Sequence, residues 1–143
     1  MKMKSKYVSH VLLIFFCLSV WPLDHAFSSD SINWYTYDEG MALGKTQKKK
    51  VFLHFYADWC HYCRKMAKET FQDPSVIAYL NANFTSIRVN TDKQTKIAAS
   101  YGVRGLPTTW FLEENGERIG NLPGYIPPDR LLSILKKVYA SPK

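Results

Sequence analysis

The chain has 143 residues with a formal net charge of +7 at pH 7, and 46% of the residues are hydrophobic. This length and apolar content suffice for one domain with a hydrophobic core. With three cysteines in total, the chain lacks the disulfide framework of small secreted scaffolds. The basic cluster Lys48–Lys50 directly precedes an apolar stretch. A solvated loop therefore explains it better than a nucleic-acid contact, and we expect no nucleic-acid partner.

The N-terminus has the pattern of a secretory signal peptide. Three lysines form a basic segment, and residues 11–21 are predominantly apolar. That apolar length is too short to span a bilayer comfortably but is typical of a signal-peptide core. Small residues predict cleavage after Ser28, so that residues 1–28 form the signal peptide and residues 29–143 form an exported domain. An uncleaved membrane anchor is the alternative.

The next part of the chain alternates between strand and helix patterns. Asp73 followed by Pro74 is a typical helix start, because an acidic cap precedes a proline in the first turn. The predicted elements are a strand over Ile32–Tyr37, a helix from a cap at Asp38 to about Gln47, a buried strand over Val51–Ala57, a helix over Cys60–Phe71 and a helix from Asp73 through Asn81.

The C-terminal part repeats the alternation and ends in a hairpin and a helix. Its predicted elements are a strand over Phe84–Asn90, a helix from a cap at Asp92 through Tyr101 with Gly102 as its stop, a hairpin of Thr108–Leu112 and Glu117–Leu122, and a helix from Pro127 through Tyr139. Strand, helix and strand followed by a hairpin and a helix predict an α/β protein. Its mixed sheet is expected to carry helices on both faces.

The segment Cys60-His61-Tyr62-Cys63 directly follows the buried strand and opens a helical pattern. Strand, Cys-x-x-Cys and helix form the layout of a dithiol redox site. The first cysteine then lies at a helix N-terminus, where unpaired backbone N–H groups favour an anion. We therefore expect a lowered pKa for Cys60, which makes it the exposed attacking nucleophile. Cys63 lies about one turn further and can close a disulfide with it.

The residues around this motif resemble the thioredoxin superfamily. The run Trp59–Cys63 is followed about 45 residues later by Gly105-Leu106-Pro107-Thr108. The resemblance covers roughly residues 33–140 and implies the thioredoxin fold, an α/β fold whose central mixed sheet is flanked by helices. The activity that it implies is thiol–disulfide exchange between the cysteine pair and protein substrates.

Within that superfamily, the chain most resembles the exported thioredoxin-like domain at the C-terminus of the disulfide reductase DsbD. The run Tyr56–Cys60, the segment Glu69-Thr70-Phe71 and the pair Asp73-Pro74 carry this likeness. It implies a periplasmic reductase that is recharged by a membrane-embedded thiol electron donor. We expect a monomer.

The resemblance also implies which residues contact substrates. The Leu106–Pro107 peptide bond is expected to be cis and to expose the backbone of Leu106, where a substrate strand can pair. A plain turn is the alternative. Trp59, His61 and Tyr62 flank the cysteines and are expected to contact partners.

Two positions depart from the family pattern. His54 stands six residues before the first cysteine, where thioredoxins commonly have a buried carboxylate that passes protons to the second cysteine. Ala67 stands where the DsbD-like domain has an acid. Neutral His54 could still shuttle a proton and modulate the thiol pKa values, whereas plain core packing is the competing interpretation.

The sequence therefore predicts an exported thiol–disulfide oxidoreductase that needs no organic cofactor. A dithiol oxidase or isomerase would use the same residues in reverse. A thiol-dependent chaperone, or a module that binds Cu(I) through Cys60 and Cys63, is an alternative from another class. A zinc site would need two more ligands, for which His54 and His61 are the candidates, so we expect no metal.

Overall fold

The computed structural model of the protein describes residues 30–142, so the predicted signal peptide and its cleavage site lie outside the described residues. The strands are β1 (Trp34–Tyr35), β2 (Lys50–Tyr56), β3 (Phe84–Asn90), β4 (Thr108–Leu112) and β5 (Arg118–Pro123). The helices are α1 (Tyr37–Gln47), α2 (His61–Lys68), α3 (Pro74–Asn83), α4 (Thr95–Ser100) and α5 (Pro128–Ala140), and a 3-10 turn covers Thr70–Gln72.

The five strands form one mixed sheet in the order β1-β3-β2-β4-β5. β1, β3 and β2 are parallel, whereas β4 and β5 run antiparallel to β2 and to each other. β2 is central, and six of its seven residues are buried. A strand that is covered on both faces is apolar along most of its length, as this one is. The predicted mixed sheet flanked by helices is therefore confirmed.

Alternate residues of β2 face two separate cores. Phe52 lies in a core formed with residues of α2, α3, α5 and the 3-10 turn, among them Met66, Leu80 and Leu135. Leu53 lies in the opposite core, which α1 and α4 cover. Because His54 is two residues from Phe52, its side chain belongs to the first of these cores. The helices thus lie on both faces of the sheet. The carboxyl end of β2 continues into α2.

Helix α1 begins two residues earlier than a cap at Asp38 would allow, because Thr36 is its N-cap. The Glu39 carboxylate accepts hydrogen bonds from the Thr36 hydroxyl at 2.6 Å and from the Thr36 N–H at 3.4 Å. This is the capping-box pattern, in which the residue three positions on reaches back to the cap. Asp38 lies instead in the first turn, where its charge is still favourable.

The predicted helix over Cys60–Phe71 is shorter in the structure and ends at Lys68. A 3-10 turn follows, in which the Thr70 hydroxyl donates to the carbonyl oxygen of Ile126 at 2.6 Å. This contact with a distant loop turns the chain and brings Phe71 into the core. The break therefore comes from a tertiary contact that the local pattern does not contain.

The predicted cap at Asp92 is wrong, since α4 begins at Thr95 with Gln94 as its N-cap. The Asp92 carboxylate instead accepts a hydrogen bond from the indole N–H of Trp59.

A partly buried ion pair lies at the end of the sheet opposite to α2. The Lys50 ammonium lies 3.1 Å from the Glu113 carboxylate and 3.0 Å from the carbonyl oxygen of Ser141. One lysine of the basic cluster is thus part of the fold and not of a surface patch.

No helix within residues 30–142 combines the length and apolar character needed to cross a membrane.

Candidate active site

The dithiol lies where central strand β2 passes into helix α2. Cys60 is the N-cap of α2, and its N–H donates to the carbonyl oxygen of Ala57 at 3.2 Å. Its sulfur accepts a hydrogen bond from the backbone N–H of Cys63 at 3.1 Å. Helix N-terminal N–H groups are otherwise unpaired, so a sulfur anion at this position gains both a hydrogen bond and the favourable end of the helix dipole. The geometry places the sulfur of Cys60, and not that of Cys63, at this end of the helix.

In the structure, Cys60 and Cys63 form a disulfide, with their Cα atoms 5.2 Å apart. The two residues are almost equally covered, at 5% and 4% exposure. The greater exposure expected for Cys60 is therefore absent from the oxidised form. What distinguishes the two cysteines is their place on the helix: Cys60 caps it, and Cys63 lies inside its first turn.

Exposed aromatic side chains flank the disulfide. Trp59 is 68% exposed and Tyr62 is 57% exposed, and His61 between the cysteines is exposed as well. The indole N–H of Trp59 donates to the Asp92 carboxylate at 2.9 Å, which orients the ring beside Cys60. Asp92 is a contact that the sequence interpretation missed, because that interpretation used the residue as a helix cap.

The Leu106–Pro107 segment lies against the cysteines, and its peptide bond is cis. Leu106 packs against the cluster of Ala57, Cys60 and Cys63. The carbonyl oxygen of Pro107 accepts a hydrogen bond from Gly124 at 2.7 Å. Within the described residues, no hydrogen bond occupies the backbone of Leu106. That backbone is therefore available to an added strand.

His54 is 1% exposed and lies in an aromatic cage. Its Nδ1 is 3.1 Å from the hydroxyl oxygen of Thr109 on the neighbouring strand. The ring stacks on Tyr56 and meets Phe71 edge-on. Burial, with a smaller effect from the charge of Arg88, lowers the pKa of His54 to about 3. The imidazole is therefore neutral at pH 7 and adds no positive charge near the thiols.

A small cavity of about 210 Å³ opens beside Cys63. Arg64 and Arg88 are among the residues that line it. Arg88 is paired in register with His54, and its guanidinium lies 4.3 Å from the centre of the Tyr56 ring. Ala67 also lines this cavity, so the missing acid is replaced by a methyl group there.

The sequence interpretation did not identify Arg64 or Arg88 as residues of the site. A signal was present, since Arg88 is a charged residue between the apolar Ile87 and Val89 of a buried strand. A charged residue in a buried strand usually has a binding partner or a function. Sequence alone did not show that this residue lies beside the second cysteine.

A metal site is not evident in the described part of the chain, where no group of three or more histidine, cysteine or acidic side chains could hold an ion. His54 and His61 do not complete such a group with the cysteines.

A cysteine pair at the start of a helix, facing a cis-proline segment on a mixed sheet, defines a thiol–disulfide oxidoreductase. Residues 37–139 match the sequence profile of the family described as thioredoxin-like domain. The chain belongs to this family, and its Cys60–Cys63 pair lies at the position of the family's active site.

Several relatives support this assignment. The chain is 35% identical to the thiol:disulfide interchange protein DsbD of Haemophilus ducreyi over 100 residues, which are 64% of this chain and 17% of that protein. It therefore spans only a small part of the DsbD relatives. It is 31% identical to chloroplastic thioredoxin M5 of Oryza sativa over 119 residues, which are 83% of this chain and 63% of the relative.

Solved structures agree with these relatives. A thioredoxin from Thermus thermophilus superposes with a TM-score of 0.70 at 32% identity, covering 77% of this chain and 88% of its own. The oxidised C-terminal domain of DsbD from Neisseria meningitidis superposes with a TM-score of 0.60 at 27% identity, covering 70% of this chain and 90% of its own. The predicted thioredoxin fold and the resemblance to DsbD are confirmed.

Proposed function

We propose that this protein reduces disulfides of exported proteins through its Cys60–Cys63 dithiol. The observation that carries the proposal is the Cys60 sulfur at the N-cap of α2, where it accepts the Cys63 N–H. A thiolate is the nucleophile in disulfide exchange, and this position stabilises one. Trp59, His61, Tyr62, Leu106 and Pro107 are the residues that contact the substrate in this proposal.

The reaction has two exchange steps. The Cys60 thiolate attacks one sulfur of the substrate disulfide, so that a bond from Cys60 to the substrate forms while the substrate disulfide breaks. The departing substrate sulfur leaves as a thiolate and takes up a proton. The Cys63 thiolate then attacks the Cys60 sulfur and releases the second substrate sulfur, which also takes up a proton. Two electrons pass to the substrate, and the protein is left with the Cys60–Cys63 disulfide.

A thiol donor must return two electrons to the oxidised pair in each cycle. We propose a membrane-embedded dithiol protein as this donor and the periplasm as the compartment. The similarity to DsbD, a thiol:disulfide interchange protein, supports the exchange of electrons with another dithiol protein.

The direction of electron flow is tested by the reduction potential of the Cys60–Cys63 pair. Potentials in this fold run from about −270 mV for thioredoxin to about −120 mV for DsbA. We expect a value in the more reducing half of that range. Equilibration of the protein with glutathione buffers of known ratio, followed by separation of the reduced and oxidised forms, measures it. A potential above about −160 mV would contradict the reductant proposal.

One observation favours the dithiol oxidase as the second candidate. Arg64 and Arg88 line the cavity beside Cys63, and cationic groups stabilise the thiolates of the reduced form. A more stable reduced form makes the disulfide a stronger oxidant. If the measured potential is high, an Arg88→Met variant should lower it, whereas Arg130→Met on exposed α5 should not.

A further inference from the structure

Helix α2 carries a row of basic side chains that begins beside the nucleophile. His61, Arg64, Lys65 and Lys68 are all exposed and follow the spacing of one helical face. They line an open depression of about 430 Å³ together with Glu69. Hereafter these four residues are called the basic row. Three of its members are permanently cationic at neutral pH, against one carboxylate in the depression.

The basic row has no carboxylate partner in the described part of the chain. Within residues 30–142, the one ion pair closer than 4 Å joins Lys50 and Glu113 at the far end of the sheet. The carboxylate of Glu69 accepts from the Tyr125 hydroxyl at 2.6 Å. Lys65 lies 4.7 Å above the ring of Tyr125. The fold thus leaves the charge of the row uncompensated by short ion pairs.

Two acids near the cysteines, Asp58 and Asp92, accept hydrogen bonds from neutral donors. The Asp58 carboxylate accepts from the Asn90 side-chain amide at 3.2 Å. Asp92 accepts from the Trp59 indole. Arg64 donates to the carbonyl oxygen of Asp58 at 2.9 Å and not to its carboxylate. Within residues 30–142, neither carboxylate therefore forms a short ion pair with the basic row.

The position of the row relates it to the substrate. Cys60 caps the same helix. When a substrate presents its disulfide to Cys60, the substrate residues that flank this disulfide are therefore within reach of the first turns of α2. Tyr62, on the same helix, offers an exposed apolar surface next to the row. This protein thus offers an apolar surface bordered by uncompensated cations. A complementary partner has an apolar surface of its own that is bordered by acidic residues.

We infer that the preferred partners of this protein are disulfide-containing polypeptides with acidic residues beside the reacting cysteine, and that Lys65 and Lys68 select them. This inference rests on the proposed function and adds a substrate class to it. Charges at the edge of an interface act mainly on the association rate, and they are screened by salt. The preference is therefore expected in the second-order rate constant at low ionic strength.

Three synthetic peptides test the inference. Each contains the same intramolecular disulfide, flanked by Glu, by Gln or by Lys, and each is mixed with the reduced protein. We expect the Glu peptide to be reduced about three- to tenfold faster than the Gln peptide at about 10 mM salt, and the Lys peptide to be slowest. At about 1 M salt, where the Debye length is about 3 Å, the three rates should converge.

Two double variants locate the effect. Lys65→Gln with Lys68→Gln should remove most of the preference for the Glu peptide. Lys136→Gln with Lys137→Gln should retain it, because these exposed residues are near the end of α5, close to Ser141 and Lys50 at the opposite end of the sheet. The two variants carry the same change in net charge, so a difference between them reports position.

Equal rates for the Glu and Gln peptides in the unmodified protein would overturn the inference and leave the reductase function intact. The same holds if the Lys65 and Lys68 variant keeps the full preference. Failure to reduce any of the three peptides would overturn the proposed function and this inference together.

Discussion

The two cysteines of the active site are chemically identical, but they occupy different positions on α2. Cys60 caps the helix and accepts the backbone N–H of Cys63. Cys63 lies inside the first turn, beside the cavity lined by arginines. The first position suits the sulfur that attacks the substrate, and the second suits the sulfur that resolves the mixed disulfide.

Cysteine variants test this division. Cys63→Ser should accumulate mixed disulfides with substrates, because Cys60 can still attack but nothing resolves the product. Cys60→Ser should accumulate far fewer. Non-reducing electrophoresis after acid quenching and thiol blocking measures the trapped species. Equal trapping by the two variants would contradict the assignment of Cys60 as the nucleophile.

His54 provides a test of protonation within the core. Its pKa falls from 6.5 in the unfolded chain to about 3 in the folded protein, mainly through burial. Above pH 6.5 both states are neutral at this site. As the pH falls from about 6.5 toward 3, only the unfolded chain takes up the proton, so the folded state loses stability by up to about 1.4 kcal/mol per pH unit.

His54→Leu should therefore flatten the dependence of the unfolding free energy on pH between about 6 and 4. Urea denaturation at several pH values measures it. The comparison variant is His61→Leu, which removes an exposed histidine of α2 instead of the buried one. If His54→Leu kept the slope of the unmodified protein, the buried imidazole would not be the cause of the pH dependence of the unfolding free energy.

A separate kinetic readout addresses the proposed role of His54 in catalysis. Tyr56 stacks on His54 and also packs against the cysteine cluster, which joins the imidazole to the site. If neutral His54 relays protons to the departing thiolate, His54→Leu should slow product release while the fold is kept. If the reductase rates of His54→Leu were unchanged from pH 6 to 8, the role of His54 would be core packing alone.

At the scale of elements, the packing of α1 on the sheet depends on a glycine. Gly40 is buried in α1, and a Cβ atom there would collide with the Ile87 side chain on β3 and lie 3.3 Å from the Cβ of Tyr35. Glycine lowers helix propensity, so Gly40 by itself weakens α1. In the folded protein the same residue permits the close approach of helix and strand.

Gly40→Ala should destabilise the protein by about 1–2 kcal/mol, although alanine is intrinsically the better helix former by about 1 kcal/mol. Gly120→Ala is the control, since a Cβ at that position meets nothing within 4 Å. Urea titration of both variants measures the difference. A stability gain in Gly40→Ala would mean that the core moves to accept the methyl group at little cost.

Element boundaries show where local patterns stop being informative. Asp73 and Pro74 open α3 as predicted, because the Asp73 carboxylate accepts the N–H groups of Ser75 and Val76 at 2.9 and 3.0 Å. Asp92 has the same side chain before a helical pattern but binds the Trp59 indole instead. A cap is a contact within a few residues, whereas the Trp59 contact spans 33 residues and has no local signature.

At the scale of the whole molecule, export is the remaining prediction. The signal-peptide pattern predicts that the mature chain begins near Ser29. N-terminal sequencing of protein recovered from the cell envelope fraction measures the start. Intact residues 1–28 in the membrane pellet would indicate an anchor, and the exported part of the proposed function would then apply to a tethered domain.

The sequence by itself determined the α/β class, the order of strands and helices, and the cysteine pair at the start of a helix. These properties depend on periodicity, caps and short spacings, which a linear chain displays directly. The likeness to thioredoxins then joined Cys60 to Pro107 across more than forty residues.

Tertiary structure alone decided what surrounds the sulfurs. It brought Arg88 of β3 and Cys63 to the wall of one cavity, held Trp59 through Asp92, and kept His54 neutral by enclosing it among aromatic rings. Charge and pKa depend on which groups from distant segments lie within a few ångströms and on how much water is excluded. The order of residues along the chain does not contain those distances, so the electrostatic character of this site emerges only when the strands and helices pack.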